Sequence, residues 1–134
     1  MADSDPIVVT GMGAVSPLGV GVDANWQALM AGRSGTVVNT RFDTTEFACK
    51  IAGLVPGKEQ PDGFDPTRVI DPKDIKKMDL FIQYGLGAAA EALAQSGWVA
   101  DTPEKQAVTG TIIGSGVGGS PVMAEAVNII NDKG

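Results

Sequence analysis

Two glycine-rich segments are the first candidates for chemistry in this sequence. Gly-Ser-Gly-Val-Gly-Gly at 114–119 matches G-x-G-x-x-G, a pattern whose glycines let the backbone approach a dinucleotide pyrophosphate. That interpretation also needs a second strand ending in an acidic residue about 20 residues later, whereas the chain reads as helix from Pro121 onward. We therefore favour a tight strand-to-helix turn in which glycine serves backbone shape. The segment at 7–19 fits the pattern less well, because Ser16 stands where the third glycine would be.

Cys49 is the only cysteine, and the sequence contains no histidine. A nucleophilic thiolate needs a base, a cation or a helix N-terminus nearby to lower its pKa, and no histidine is present to act as that base. Its neighbours Ala48 and Ile51 instead predict a small core or half-buried residue in a strand. The acidic residues are scattered singly, without the clustering of a metal site. We predict no catalytic residue, no metal and no cofactor in this chain.

Three lysines form the remaining candidate site. Lys73, Lys76 and Lys77 have the spacing i, i+3 and i+4, which places them on one side of a helix. Cations near a helix N-terminus oppose the macrodipole, so helix propensity does not explain them. They are either a solvated face, whose positive charge Asp74 and Asp79 partly neutralise, or a local basic patch that docks an acidic partner.

Composition narrows the classes of function. The net charge of −6 argues against nucleic acid as a partner, because phosphate contacts need clustered basic residues on a basic domain. No run approaches the ~20 apolar residues of a membrane-spanning helix, and the first six residues lack the features of a secretory signal. We expect a cytoplasmic protein without a membrane partner.

The elements that position these residues alternate between strand and helix, which predicts the α/β class. Glycine and alanine are frequent in the long apolar helix, so we expect close-packed backbones and a buried helix. The predicted order is a strand at 7–10, a helix at 22–30, an excursion at 35–71 carrying one strand at 49–55, a helix at 71–96, a strand at 107–113 and a helix at 121–130. Parallel strands need cover on both faces, so we expect this chain to be part of a longer one.

These residues resemble the β-ketoacyl-acyl carrier protein synthases, and among them the synthase II enzymes, over nearly the whole chain. The similar stretches are the glycine-rich segments at 7–19 and 111–119 together with 26–35, 42–44, 51–54 and 77–85. The resemblance implies a thiolase-like fold, with two similar halves stacked as α/β/α/β/α layers and paired as a homodimer. Residues 1–134 would be the opening, partial N-terminal part of the first half.

The resemblance also implies an activity. Such enzymes condense an acyl thioester with malonyl-acyl carrier protein in type II fatty-acid elongation, through an acyl-cysteine supported by two histidines. Those three residues would lie beyond Gly134, so this segment alone is expected to be inactive. Partners would be acyl carrier protein and the acyl and malonyl thioesters.

Four residues take roles from the resemblance. Val117 matches an apolar residue beside the family's acyl pocket, and an apolar residue here, instead of glycine, favours synthase II over synthase I. Lys73, Lys76 and Lys77 match the family's basic carrier-protein patch. The alternatives are a ketosynthase domain of a polyketide synthase, a non-condensing homologue, or, in another class, a nucleotide-binding or interaction fragment.

Overall fold

Two pairs of short strands flank the first helix, and only helices follow them, in the computed structural model, which describes residues 6–134. The strands are β1 (Val15–Ser16), β2 (Gly19–Val20), β3 (Thr36–Val38) and β4 (Ile51–Gly53). The helices are α1 (Val22–Met30), α2 (Pro72–Ile75), α3 (Leu80–Ser96), α4 (Pro103–Ala107) and α5 (Ser120–Lys133), and a 3-10 helix (Pro66–Arg68) precedes α2. Antiparallel pairing joins β1 to β2 and β3 to β4. The α/β class predicted from the sequence is confirmed as a mixed α/β arrangement.

The helices at both ends of the chain form where the sequence predicts them. α1 spans Val22–Met30, as predicted, and α5 extends the predicted 121–130 by a few residues at its C-terminal end. α3 ends at Ser96, and the following Gly97 has a φ of 64°, the left-handed conformation that glycine adopts at helix C-termini. Residues within a few positions of these helix boundaries were sufficient to predict them.

The N-terminal glycine segment crosses α3 at very short range. A Cβ added to Gly11 would lie 2.0 Å from the carbonyl oxygen of Ala92, and one on Gly13 would lie 1.9 Å from that of Ala88. Only glycine permits this contact between two backbones. The Glu91 carboxylate stabilises the crossing, because its Oε2 accepts the Ala14 N–H at 2.9 Å. The expected close packing of backbones is confirmed here.

Two glycines of α3 provide a matched test of this packing. A Cβ added to Gly87 would lie 2.7 Å from Cε2 of the buried Phe64, whereas one added to Gly85 meets no atom within 4 Å. Alanine in a helix interior gains about 0.5–1 kcal/mol over glycine, and overpacking costs about 1–3 kcal/mol. We expect Gly87→Ala to lower the thermal midpoint and Gly85→Ala to raise it. A higher thermal midpoint for Gly87→Ala would contradict this prediction and show that the Phe64 ring moves aside for the added methyl group.

Two predicted strands do not form. Residues 7–10 and 107–113 lack strand structure because no described strand lies alongside to pair with their N–H and C=O groups. Ile112 is 99% exposed. Ala107 instead ends α4, which Thr102 begins by accepting the Lys105 N–H at 3.3 Å. The motif at 114–119 thus precedes a helix but follows no described strand, unlike a dinucleotide fingerprint.

The excursion at 35–71 carries two strands, where the sequence predicts one. The predicted strand at 49–55 is shortened to β4, and its partner β3 was not predicted. Cys49 lies outside β4 and is exposed, so its predicted burial is wrong. Only Phe64 and Ile70 of this excursion are buried, and both lie in its last part, before α2.

The single long helix predicted at 71–96 is divided, and only one face of its main part is covered. α2 ends at Ile75, and Asp79 begins α3 by accepting the Leu80 N–H on its Oδ1 at 2.6 Å. Several large side chains of α3 are exposed: Phe81, Ile82, Leu86 and Leu93. Its predicted burial is therefore wrong for this chain, since the two strand pairs among the described residues are too short to cover a second face.

Candidate functional site

The three candidate lysines lie on a short segment, residues 71–79, between the 3-10 helix and α3. Asp71 begins α2 by accepting the Lys73 N–H at 3.1 Å. Beyond Ile75 the chain continues in i to i+3 turns, with Lys77 N donating to Asp74 O at 3.0 Å. Lys73 therefore lies within α2, Lys76 directly follows its last residue, and Lys77 closes the first of these turns.

This lysine segment departs from the predicted helical face in two respects. The lysines precede α3, so the premise that they crowd the N-terminus of one long helix is wrong. Two of them are also paired locally, Lys73 with Asp71 at 3.0 Å and Lys77 with Asp74 at 2.8 Å. Lys76 is exposed and makes no ion pair within residues 6–134. All three ammonium groups remain accessible from solvent.

Val117 lies on the bend before α5 and is 85% exposed. Gly118 and Gly119 follow it, and the local geometry requires glycine at both positions. A Cβ added to Gly118 would lie 2.6 Å from Cζ of Phe81, so the turn passes directly over that ring. Gly119 has a φ of 81° and begins α5. The glycine-rich segment therefore shapes a turn, as the sequence analysis favoured.

Val117 lines a cleft of about 250 Å³, which we call the polar cleft. Arg41 and Tyr84 supply its polar wall, with Arg41 Nη2 donating to the Tyr84 hydroxyl at 3.2 Å. The Tyr84 ring packs edge to face on the buried Phe64, at 5.0 Å between centroids, which fixes its position. The polar wall is thus anchored to the protein core.

A larger cleft of about 440 Å³, the apolar cleft, shares Phe81 with the polar cleft. It is lined by Phe81, Ile82, Gly85, Leu86, Ile113, Gly114 and Ser115. Phe81 contributes to both clefts, whereas Val117 contributes to the polar one only. The apolar lining belongs mainly to the larger cleft, which Val117 does not line.

Asp79 connects the lysine segment to the glycine-rich turn. Its Oδ1 begins α3, while its Oδ2 is buried and has no hydrogen-bond partner among the described residues. That Oδ2 lies 3.7 Å from the position a Cβ on Gly119 would take. The sequence predicts for Asp79 only a negative charge near the lysines. An Asp directly before the apolar run of α3 is a helix-start signal that could have identified its capping role.

Cys49 lacks the surroundings of a nucleophile. Its thiol donates to the Ile51 carbonyl oxygen at 3.4 Å. No cluster of possible metal ligands occurs among the residues that the structure describes. Hydrogen bonds from Thr45 hold the pKa of nearby Asp43 below its usual range, and Thr67 does the same for Asp65. These shifts come from local turn and cap bonds and do not mark a catalytic group.

The Beta-ketoacyl synthase, N-terminal domain family model matches residues 4–133 of the chain. The chain belongs to the β-ketoacyl synthase family. Named relatives of this β-ketoacyl synthase chain include 3-oxoacyl-[acyl-carrier-protein] synthase 2 of Vibrio cholerae, 44% identical over 128 residues, which are 96% of this chain and 29% of the relative. The protein of that name from Rhizobium meliloti is 39% identical over 96% of this chain and 31% of its own length.

A solved structure is similar in fold as well. The ishigamide ketosynthase/chain length factor aligns with a TM-score of 0.59 and 37% identity, over 70% of this chain and 22% of that one. The β-ketoacyl synthase chain therefore spans less than a third of the length of the relatives it matches. Within residues 6–134, no helix is both long and apolar enough to span a bilayer.

Proposed function

We propose that this chain is the N-terminal part of a β-ketoacyl-acyl carrier protein synthase of the synthase II type. The proposed reaction condenses an acyl thioester with malonyl-acyl carrier protein in type II fatty-acid elongation. One observation carries the proposal, namely 44% identity, over 96% of the chain, to a protein named 3-oxoacyl-[acyl-carrier-protein] synthase 2.

The proposed architecture is the layered α/β/α/β/α thiolase-like fold, assembled as a homodimer in the cytoplasm. Residues 1–134 would form the opening part of its first half. Two observations support this arrangement. The relatives are about three times longer than the matched region, and α3 leaves Phe81, Ile82 and Leu93 exposed as surface for further layers.

In the proposed reaction a cysteine thiolate attacks the acyl thioester, forms an acyl-enzyme and releases the carrier thiol. Malonyl-acyl carrier protein then loses CO₂, and the resulting carbanion attacks the acyl group and frees the cysteine. We place this cysteine and its two histidines outside residues 1–134. Cys49 is not assigned the role, because it is exposed and the chain contains no histidine.

We assign the described site residues to recognition. Lys73, Lys76 and Lys77 would dock acyl carrier protein, a role supported by their exposure on one short segment. Val117 would control the space beside the acyl chain, a role supported by its place in the polar cleft, which shares Phe81 with the apolar cleft. The polar and apolar clefts would then belong to one substrate-binding region.

A condensation assay on the complete protein tests this function. With acyl and malonyl groups on acyl carrier protein, we expect release of CO₂ and formation of a β-ketoacyl product. Cys49→Ser should keep that activity, because an exposed thiol without a base is not the nucleophile. Acylation of Cys49 by an acyl thioester at neutral pH would contradict the assignment, and absence of any condensation would overturn the function.

A ketosynthase of a polyketide pathway is the second candidate, and similarity to the ishigamide ketosynthase/chain length factor favours it. The same assay separates the two candidates through the product. A fatty-acid enzyme should accept saturated primers and condense once. A polyketide enzyme should condense repeatedly and give a product that keeps its β-keto groups.

A further inference from the structure

Gln83 is the buried polar residue of the described chain, with an exposed fraction of 8%. Buried polar groups are nearly always hydrogen-bonded, and their partners usually reveal their task. The side-chain Nε2 of Gln83 donates to the carbonyl oxygen of Met78 at 2.9 Å and to that of Ile75 at 3.3 Å. Both acceptors belong to the lysine segment.

The two accepting residues directly flank Lys76 and Lys77 in the sequence. One carboxamide therefore holds the backbone on both sides of this lysine pair. The Ile75 carbonyl, at the end of α2, already accepts the Met78 N–H at 3.2 Å, so Gln83 adds a second donor there. The Met78 carbonyl lies in the turn before α3 and accepts from Gln83 as well.

The lysine segment needs such support because α2 has only four residues. An isolated helix of this length is unstable, since nucleation fixes several residues for very few hydrogen bonds. α3 has 17 residues and carries Gln83 in its first turn. Gln83 therefore adds a link from α3 to the backbone on both sides of Lys76 and Lys77, beside the segment's own turn hydrogen bonds.

We infer that Gln83 is a positioning residue for carrier-protein recognition, which holds the backbone of Lys76 and Lys77 in the geometry that an acidic carrier surface meets. The inference rests on the docking role proposed above for the lysines. Gln83 itself touches neither substrate nor carrier protein in this scheme. Fixing the backbone beforehand removes ordering entropy that would otherwise oppose binding.

Gln83→Met tests the inference because methionine keeps similar volume and removes both donors. In the complete protein we expect the KM for carrier-bound substrate to rise about threefold, with kcat and the KM for small thioesters unchanged. Amide hydrogen exchange at Lys77 and Met78 should accelerate without carrier protein present. Gln95→Met is the matched control, since Gln95 also lies on α3. Its side-chain oxygen accepts a hydrogen bond from a backbone group distant in sequence, the Met12 N–H, at 2.6 Å. It lies about 18 Å further along the helix and should leave the KM unchanged.

A double-mutant cycle separates positioning from general stability. In a Lys76→Gln/Lys77→Gln background, Gln83→Met should have no further effect on the KM. A threefold rise persisting in that background, or no rise in the parent, would overturn the role of Gln83. If Lys76→Gln/Lys77→Gln alone leaves the KM unchanged, the docking proposal itself fails. Should Gln83→Met not fold, Gln83→Asn, which keeps the amide but is one methylene shorter, enters the same cycle with the same expected direction.

Discussion

Replacing Val117 by phenylalanine in the complete protein is expected to reduce turnover of long acyl primers far more than that of short ones. Val117 lies on a turn that passes directly over the Phe81 ring, because Gly118 leaves no room between them. Val117 is 85% exposed and lines the polar cleft, so phenylalanine there adds volume beside Phe81. Phe81 also lines the apolar cleft that the proposed function gives to the acyl chain, so the added volume should limit the space for a long chain.

The size of this effect is set by overpacking once an acyl chain fills the space beside residue 117. The cost of overpacking is about 1–3 kcal/mol, which corresponds to a roughly 5- to 150-fold loss of turnover for the substrates that need the space. The measurement is kcat/KM against a series of primers of increasing length, together with carrier-protein affinity, which should not change.

Val122→Phe is the matched control for this prediction. Val122 is also exposed, lies on α5 and lines neither cleft. It should leave the chain-length profile unchanged. If Val117→Phe lowers the rates for all primers in proportion, together with the thermal midpoint, Val117 is a structural residue of the turn and its proposed role is wrong.

Reversing the three lysines to glutamate is expected to raise the KM for carrier-bound substrate by about 10- to 100-fold at low salt. Each exposed charge contributes up to about 1 kcal/mol, and reversal replaces attraction with repulsion toward an acidic partner. Lys73, Lys76 and Lys77 are accessible, but Asp71 and Asp74 neutralise two of them locally. We therefore expect Lys76→Glu to be the strongest of the single variants.

The lysine prediction is checked by comparing carrier-bound and small thioester substrates across ionic strengths. The defect should shrink as salt rises, because exposed charges are screened within about 10 Å at 0.1 M. A variant with Lys50, Lys58 and Lys133 reversed has the same change in net charge at other positions and should retain a normal KM. Equal losses for both substrate types would mean that Lys73, Lys76 and Lys77 are structural.

Sequence alone was sufficient where the determinants are local. The apolar spacing of α1, the proline and glycine signals around α5 and the left-handed Gly97 at the end of α3 each depend on residues a few positions apart. The family resemblance also came from the sequence, because it rests on the order of short motifs and needs no coordinates. These features gave the α/β class and the candidate residues Val117, Lys73, Lys76 and Lys77.

Pairing and packing between distant residues were decided only by the tertiary structure. Residues 7–10 and 107–113 have strand-like sequences, yet a strand forms only where a partner pairs with its backbone. The division of the helix at 71–96 arises because Asp79 begins α3, and the link from Gln83 to Met78 arises because two helices meet there. A periodic pattern specifies which face of a helix is apolar, but not which backbone will cross it. For that reason the sequence could identify the lysines but not the residue that holds them.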